Sequence, residues 1–454
     1  MRQVLRSAVV PVYILLCIIL GGSGQGIWGV AALQFLAILI IGWSLLARNR
    51  LPLTRSAKIL FVIAGATILL LVVQMIPLPP AAWTAIPGRG HVVEGFELLG
   101  LSPPWQPISL TPYDTAATIL TLIPPLAVLV AMLVAGAYRA SWIAIALLAG
   151  TFAAVLLGAL QVASADPLQS PWYLYRWTNY GVASGFFANS NHMAMLLLVS
   201  VPLLFALIAE LRSQSKNPRS GSAVMLLAVA GILVLLVGIF LNRSLAVLLL
   251  VVPIVIISAT LLMPHRIRLR GPVIAVALVS IPAIMAAYLT PLYDRLLVSN
   301  VTSFESRQMM WSDTVSAIQD HGLLGSGAGS FPRVYRQYED YADVTRTFIN
   351  HAHNDYLEVT LEAGVPGVLL LLAFLLWWGS RAVPIWRTAA VDRYAVAATV
   401  ASAAMLVHSL VDYPLRTATL SVIMAACLAL MARPRPREGT ELEDLWLTTR
   451  HATV

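Results

Sequence analysis

AVMLLAVAGILVLLVGIFLNRSLAVLLLVVPIVIISATLLM, residues 223–263, decides the fold. Its 41 residues carry a single charge, Arg243, in the middle of Leu241-Asn-Arg-Ser-Leu245. A helix crosses a ~30 Å hydrocarbon layer with about 20 apolar residues. The stretch therefore divides into two spans, 223–241 and 244–263, with almost no loop between them. The rest of the chain agrees: of 454 residues, 59% are hydrophobic and 11% charged, with a mean hydropathy of +0.81. Soluble domains carry about 25% charged residues, and 11% cannot supply a water-facing surface. The expectation is an all-α polytopic membrane protein.

Cutting wherever polar residues interrupt an apolar run gives twelve spans: 8–22, 27–47, 58–78, 115–137, 141–163, 189–210, 223–241, 244–263, 272–291, 365–383, 394–413 and 417–432. Arg2 and Arg6 before the first run resemble the start of a signal peptide. No small-residue cleavage site follows, so the run is read as the first helix. Most of the 29 Lys and Arg residues fall on the segments that face inward when the N-terminus is cytoplasmic, and most of the 21 acids fall on the other side. The net charge of +8 is thus a topology signal, and it excludes a nucleic-acid partner. Both termini are expected in the cytoplasm. Cys17 and Cys427 lie in apolar runs, which excludes a disulfide framework or a thiolate zinc site.

The expected organisation has four parts. Residues 1–291 hold spans one to nine, with an outer loop at about 79–114. Residues 292–364 form a large outer loop, 365–432 hold the last three spans, and 433–454 form a cytoplasmic tail. Loops longer than about 15 residues usually carry function or structure of their own, so 292–364 reads as a helical subdomain. Within it, 305–320 has helical spacing, with Met310, Trp311, Thr314 and Ile318 on one side. Gly325-Ser-Gly-Ala-Gly-Ser-Phe331 lacks the Lys and hydroxyl of a phosphate-binding loop and reads as a tight turn.

The most informative stretch is Asn350-His-Ala-His-Asn-Asp-Tyr-Leu-Glu-Val-Thr-Leu-Glu-Ala-Gly-Val-Pro-Gly367. Asp355 and Glu358 have capping-box spacing, so a helix starts there. Gly364 stops it, and Pro366 suits the first turn of the next helix. His353 then stands just before a helix N-terminus, where free N–H groups favour anions. A metal on His351, His353 and Asp355 lacks a fourth ligand. These residues alone leave open a histidine that only caps or packs. Glu358 and Glu362, four positions apart, read as facing water.

His353-Asn354, nine residues, then Gly364-Val-Pro-Gly367-Val368 resembles the histidine motif of the O-antigen ligase family. Ser306-Arg307-Gln-Met-Met-Trp311 with the glycine run resembles the opening of that family's large periplasmic loop. Gly185-Phe-Phe-Ala-Asn189-Ser-Asn191 resembles the start of its sixth helix. The resemblance covers roughly 185–380. It implies a GT-C-like fold of about twelve transmembrane helices in the bacterial inner membrane, with the active site on the periplasmic face. It further implies a glycosyltransferase that moves a glycan from undecaprenyl diphosphate to an acceptor hydroxyl, with inversion and with neither metal nor cofactor. The acceptor would be lipid A-core or another glycan. By resemblance His353 is the catalytic residue, facing the acceptor proton, and Arg307 grips the diphosphate. Arg243 joins it on physical grounds as well. An arginine held so close to hydrocarbon is a functional-site candidate, and its guanidinium suits paired phosphate oxygens. A snorkelling interfacial arginine is the plainer alternative. Asn354, Asn189 and Asn191 are candidate site-lining amides, although amides at a helix start also cap.

Three classes compete. A ligase hands the glycan to lipid A-core, a related polymerase extends one lipid-linked chain with another, and a flippase or transporter moves the lipid-linked sugar. A transporter would want a charge in mid-span and a repeat between halves, and neither is present. The intact histidine motif favours the ligase over the polymerase.

Overall fold

The computed structural model describes residues 2–23, 28–48, 50–215, 218–262, 301–340, 344, 349–387 and 392–433. The described chain is helical apart from one short antiparallel pairing, Pro77 with Pro107 and Leu78 with Gln106. Its helices are α1 (Arg2–Leu20), α2 (Trp28–Leu46), α3 (Arg55–Gln74), α4 (Pro80–Trp83), α5 (Gly90–Leu98), α6 (Pro112–Thr121), α7 (Ile123–Leu133) and α8 (Ala140–Val162). They continue with α9 (Ser190–Gln214), α10 (Pro218–Asn242), α11 (Leu245–Ala259), α12 (Val301–His321), α13 (Phe331–Tyr335), α14 (Asp355–Arg387), α15 (Arg393–His408) and α16 (Ala418–Ala432).

Among the described residues, eight helical stretches are long and apolar enough to cross a membrane, with α6 and α7 counted as one. This is a multi-pass membrane protein. The ninth expected span, 272–291, lies outside the described residues. Three expected spans are shorter helices: α11, α15 and α16 have 15, 16 and 15 residues. The span expected over 394–413 ends early, at His408, so Asp412 lies in a loop.

α9 is the central pillar. Residues 192–206 are buried without a break, and α8, α10, α11 and α15 pack around it. α10 instead turns Leu226, Leu227, Leu233 and Phe240 outward. Exposed apolar residues on a membrane helix are its lipid contact, because hydrocarbon is as apolar as leucine. A second group joins α1, α2, α7 and α16, while α14 leans on α3.

Hydrogen bonds sort the helix ends into two faces. One face holds Arg6 Nε on Ala135 O (2.7 Å), Thr54 Oγ1 on Ala432 O (3.1 Å) and Arg393 Nη1 on Ala209 O (2.6 Å). The opposite face holds Asn242 Nδ2 on Ala183 O and Ser190 O, both at 2.7 Å. It also carries a small separate core of Met310, Ala317, Phe331, Val334, Tyr335, Ala352 and Leu361. That core draws α12, α13 and the start of α14 onto the membrane helices, so the histidine segment is held from beneath and from the side.

The glycine run is a turn, as its composition implies. Gly325, Gly327 and Gly329 all have positive φ, and a Cβ on Gly327 would stand 2.6 Å from Ser109 Cα. Gly364 breaks α14 at φ 59°, where a Cβ would lie 2.6 Å from Gly325 N. The two glycine sites are therefore packed backbone to backbone.

Candidate active site

α14 begins at Asp355, but its cap is Asn354. The Asn354 Oδ1 accepts from Tyr356 N (3.0 Å) and Leu357 N (3.1 Å). Asp355 N donates to Ser409 O (2.9 Å) and Glu358 N to Asn354 O (3.1 Å). All four N–H groups of the first turn are thus used, which corrects the expectation of an anion site at this N-terminus. The expected Asp355/Glu358 capping box is not formed: Asn354 is the cap, the residue three positions on is Leu357, and the Glu358 carboxylate turns to His351 and Ala352 N instead. The Asn354 Oδ1 is committed to the helix start.

Glu358 and Glu362 are buried, 1% and 3% exposed, which overturns their reading as water-facing. Glu358 Oε1 meets His351 Nδ1 at 2.8 Å, and its Oε2 accepts from Ala352 N at 3.1 Å. Glu362 Oε1 accepts from Gly329 N (2.9 Å) and Phe331 N (3.3 Å). The N–H groups of the glycine turn cradle an anion after all, and that anion is the chain's own carboxylate. Arg416 faces all three acids: Nε is 3.5 Å from Asp355 Oδ1, Nη2 3.2 Å from Glu358 Oε1 and Nη1 3.4 Å from Glu362 Oε2. Burial opposes its charge, but Glu358, Glu362 and Asp355 more than offset that and raise its pKa above the ordinary arginine value.

His353 is one of two non-glycine residues with positive φ among the described residues, at 49°. Such a backbone costs about 1–3 kcal/mol and persists where the surroundings impose it. Its Nδ1 lies 3.5 Å from Asp412 Oδ1, with His353 25% and Asp412 1% exposed. The same oxygen accepts from Tyr413 N (2.8 Å) and lies 3.9 Å from His192 Nε2. Burial raises the Asp412 pKa, yet His353, His192 and His408 outweigh it and hold the carboxyl well below the ordinary range. The Tyr413 ring is the hub, with His351 at 4.1 Å and His353 and His192 each at 5.0 Å between centroids. His351, His353 and Asp355 thus face Glu358, Asp412 and Ser409 respectively, three different partners. His408 is fully buried, and neither ring nitrogen has a hydrogen-bond partner among the described residues.

Arg307 stands on α12 within electrostatic reach of Asp412 and Tyr413. Burial lowers its pKa, and those two groups pull the other way. Trp311, one turn on, donates Nε1–H to Ala352 O at 3.0 Å and ties α12 to the histidine segment. Arg243 is the other positive-φ residue, at 59°, in the turn between α10 and α11, and it is exposed. Three residues later Ala246 packs with Val411, beside Asp412. Asn189 caps α9 through Asn191 N (2.9 Å) and reaches Tyr413 OH with its Nδ2 (3.4 Å). It therefore both caps and lines the site, whereas half-buried Asn191 supplies the backbone N–H that is capped.

Arg243, Arg307, His353, Gly364 and Gly367 all fall within residues 230–372, which match the model of the O-antigen ligase family. That stretch is similar to the O-antigen ligase family. The matched stretch is under a third of the chain, and Asn189, His192, His408, Asp412, Tyr413 and Arg416 lie outside it. No curated protein matches the chain. His353, inside the matched segment, is therefore met by side chains from beyond it. Sequence reasoning missed Asp412, Tyr413 and Arg416. The only local signal was an Asp and an Arg flanking Pro414 at the end of an expected span.

Proposed function

We propose that this protein is an inverting glycosyltransferase of the ligase type in the bacterial inner membrane. It moves a glycan from undecaprenyl diphosphate to a hydroxyl of lipid A-core at the periplasmic face. The acceptor oxygen attacks the anomeric carbon, the bond from that carbon to the phosphate oxygen breaks, and the diphosphate leaves with the electron pair. The acceptor proton passes to His353. With Nδ1 turned to Asp412, Nε2 is the nitrogen left for that proton, and the carboxylate steadies the imidazolium that forms. The leaving diphosphate gathers negative charge, which fixed cations stabilise best in a partly dry site. Arg307 and Arg243 are assigned that task. The helix N-terminus is already satisfied, and the glycine turn already holds Glu362.

The observation that carries this reading is the contact of His353 with buried Asp412, next to an arginine-bearing helix. The test is transfer by purified protein from a lipid-linked donor, resolved on a gel. His353→Gln should lose transfer at normal abundance, His351→Gln should lose less, and excess EDTA should leave the parent active. Activity lost to EDTA and restored by one metal would overturn the arginine-based mechanism. Supplying lipid A-core or a second lipid-linked glycan as acceptor distinguishes ligase from polymerase.

A further inference from the structure

Asp355, Glu358 and Glu362 occupy one face of the first half of α14, and Arg416 meets each of them at 3.2–3.5 Å. Each acid also holds a different piece of the site. Asp355 Oδ2 accepts from Ser409 Oγ (2.8 Å), which fixes the loop leading to Asp412. Glu358 holds Ala352 N and His351. Glu362 holds the glycine turn through Gly329 N and Phe331 N. His353 stands between Ala352 and Asp355, so both flanks of its left-handed backbone are tied to acids that share this one guanidinium. Three like charges, two of them buried, would otherwise repel one another or take up protons, and either change would loosen those ties.

We propose that Arg416 is a positioning residue for His353. It keeps Asp355 and Glu358 ionised and in place, and they hold the imidazole against Asp412. This rests on the reading of His353 as the residue that receives the acceptor proton. Arg416 touches neither His353 nor, in this assignment, the substrate. It acts through the carboxylates.

The test is a double-mutant cycle on transfer kinetics in purified protein. Arg416→Gln should lower kcat at least about tenfold with donor KM within about twofold, because the loss lies in the arrangement of the reacting groups rather than in binding. Arg416→Lys, which keeps the charge but not the three-way fork, should recover part of the rate. In an Asp412→Asn background, where the contact being held is already weakened, Arg416→Gln should cost less than about threefold. If Arg416→Gln does not accumulate, Arg416→Gln with Glu362→Gln removes one charge of each sign and is assayed the same way. A loss that multiplies fully with Asp412→Asn, or appears mainly in KM, would overturn the inference. Full activity of Arg416→Gln beside an inactive His353→Gln would overturn this inference alone. Full activity of His353→Gln would overturn the underlying reading and this inference with it.

Discussion

Asp412→Asn isolates the contact on which the mechanism turns. The substitution keeps shape and removes one negative charge 3.5 Å from His353 Nδ1. At an effective dielectric of about 20, that charge stabilises an imidazolium at this distance by about 5 kcal/mol. His353 is a quarter exposed, so solvent screening leaves roughly half, about 2–3 kcal/mol. Because the imidazolium develops only during transfer, the loss falls on kcat and amounts to roughly 30- to 150-fold. The carboxyl is ionised over the whole working range, since its pKa sits well below the ordinary value. A depressed carboxylate pKa contributes stability above the unfolded value of about 4 and loses it only as pH falls through the folded value. Titration of Asp412 itself should therefore add no pH dependence between pH 6 and 8. The assay is single-turnover transfer from a fluorescent lipid-linked donor, with kcat and KM taken for donor and acceptor. A variant within threefold of the parent would refute the pairing, as would a loss confined to KM.

Arg243→Lys should lose much activity, because lysine keeps the charge without the two-pronged grip on phosphate oxygens; parent-like transfer would remove Arg243 from the diphosphate site. Gly364→Ala sets a Cβ 2.6 Å from Gly325 N at a positive φ, and should destabilise the protein by more than the ~1–2 kcal/mol of the backbone term alone, read as a lower melting temperature in detergent. Burial, with the charge of Arg89 beside it, lowers the His321 pKa. The unfolded chain then takes up protons first, so stability should fall as pH drops below about 6.5, and His321→Gln should flatten that slope. Single cysteines at exposed Gln337 and Gln214, in a background without Cys17 and Cys427, should label oppositely with an impermeant thiol reagent in spheroplasts. Reaction at Gln337 alone supports a periplasmic site, and reaction at Gln214 alone would invert the orientation.

Amino-acid order by itself determined the spans, the kink and the histidine segment, because each is a local property. Bilayer thickness sets a run length that can be read along the chain, so α1, α2, α3, α8 and α10 begin and end within a few residues of the runs that announce them, the farthest being the start of α1. Gly364 and Pro366 mark a helix break through their own backbone preferences. The chemistry around His353 was only half legible. Asp412 lies 59 residues away from it, and Arg416 lies 54 to 61 residues from the acids it meets. No periodicity couples such positions. They meet because α15 returns to the face where α14 starts and ends at His408, one turn sooner than hydropathy suggested, which frees Asp412 to turn toward the histidines. Glu358 and Glu362 show the same limit. Four-residue spacing places both on one side of a helix, but only the packing of the 409–416 loop and the glycine turn against that side made it an interior.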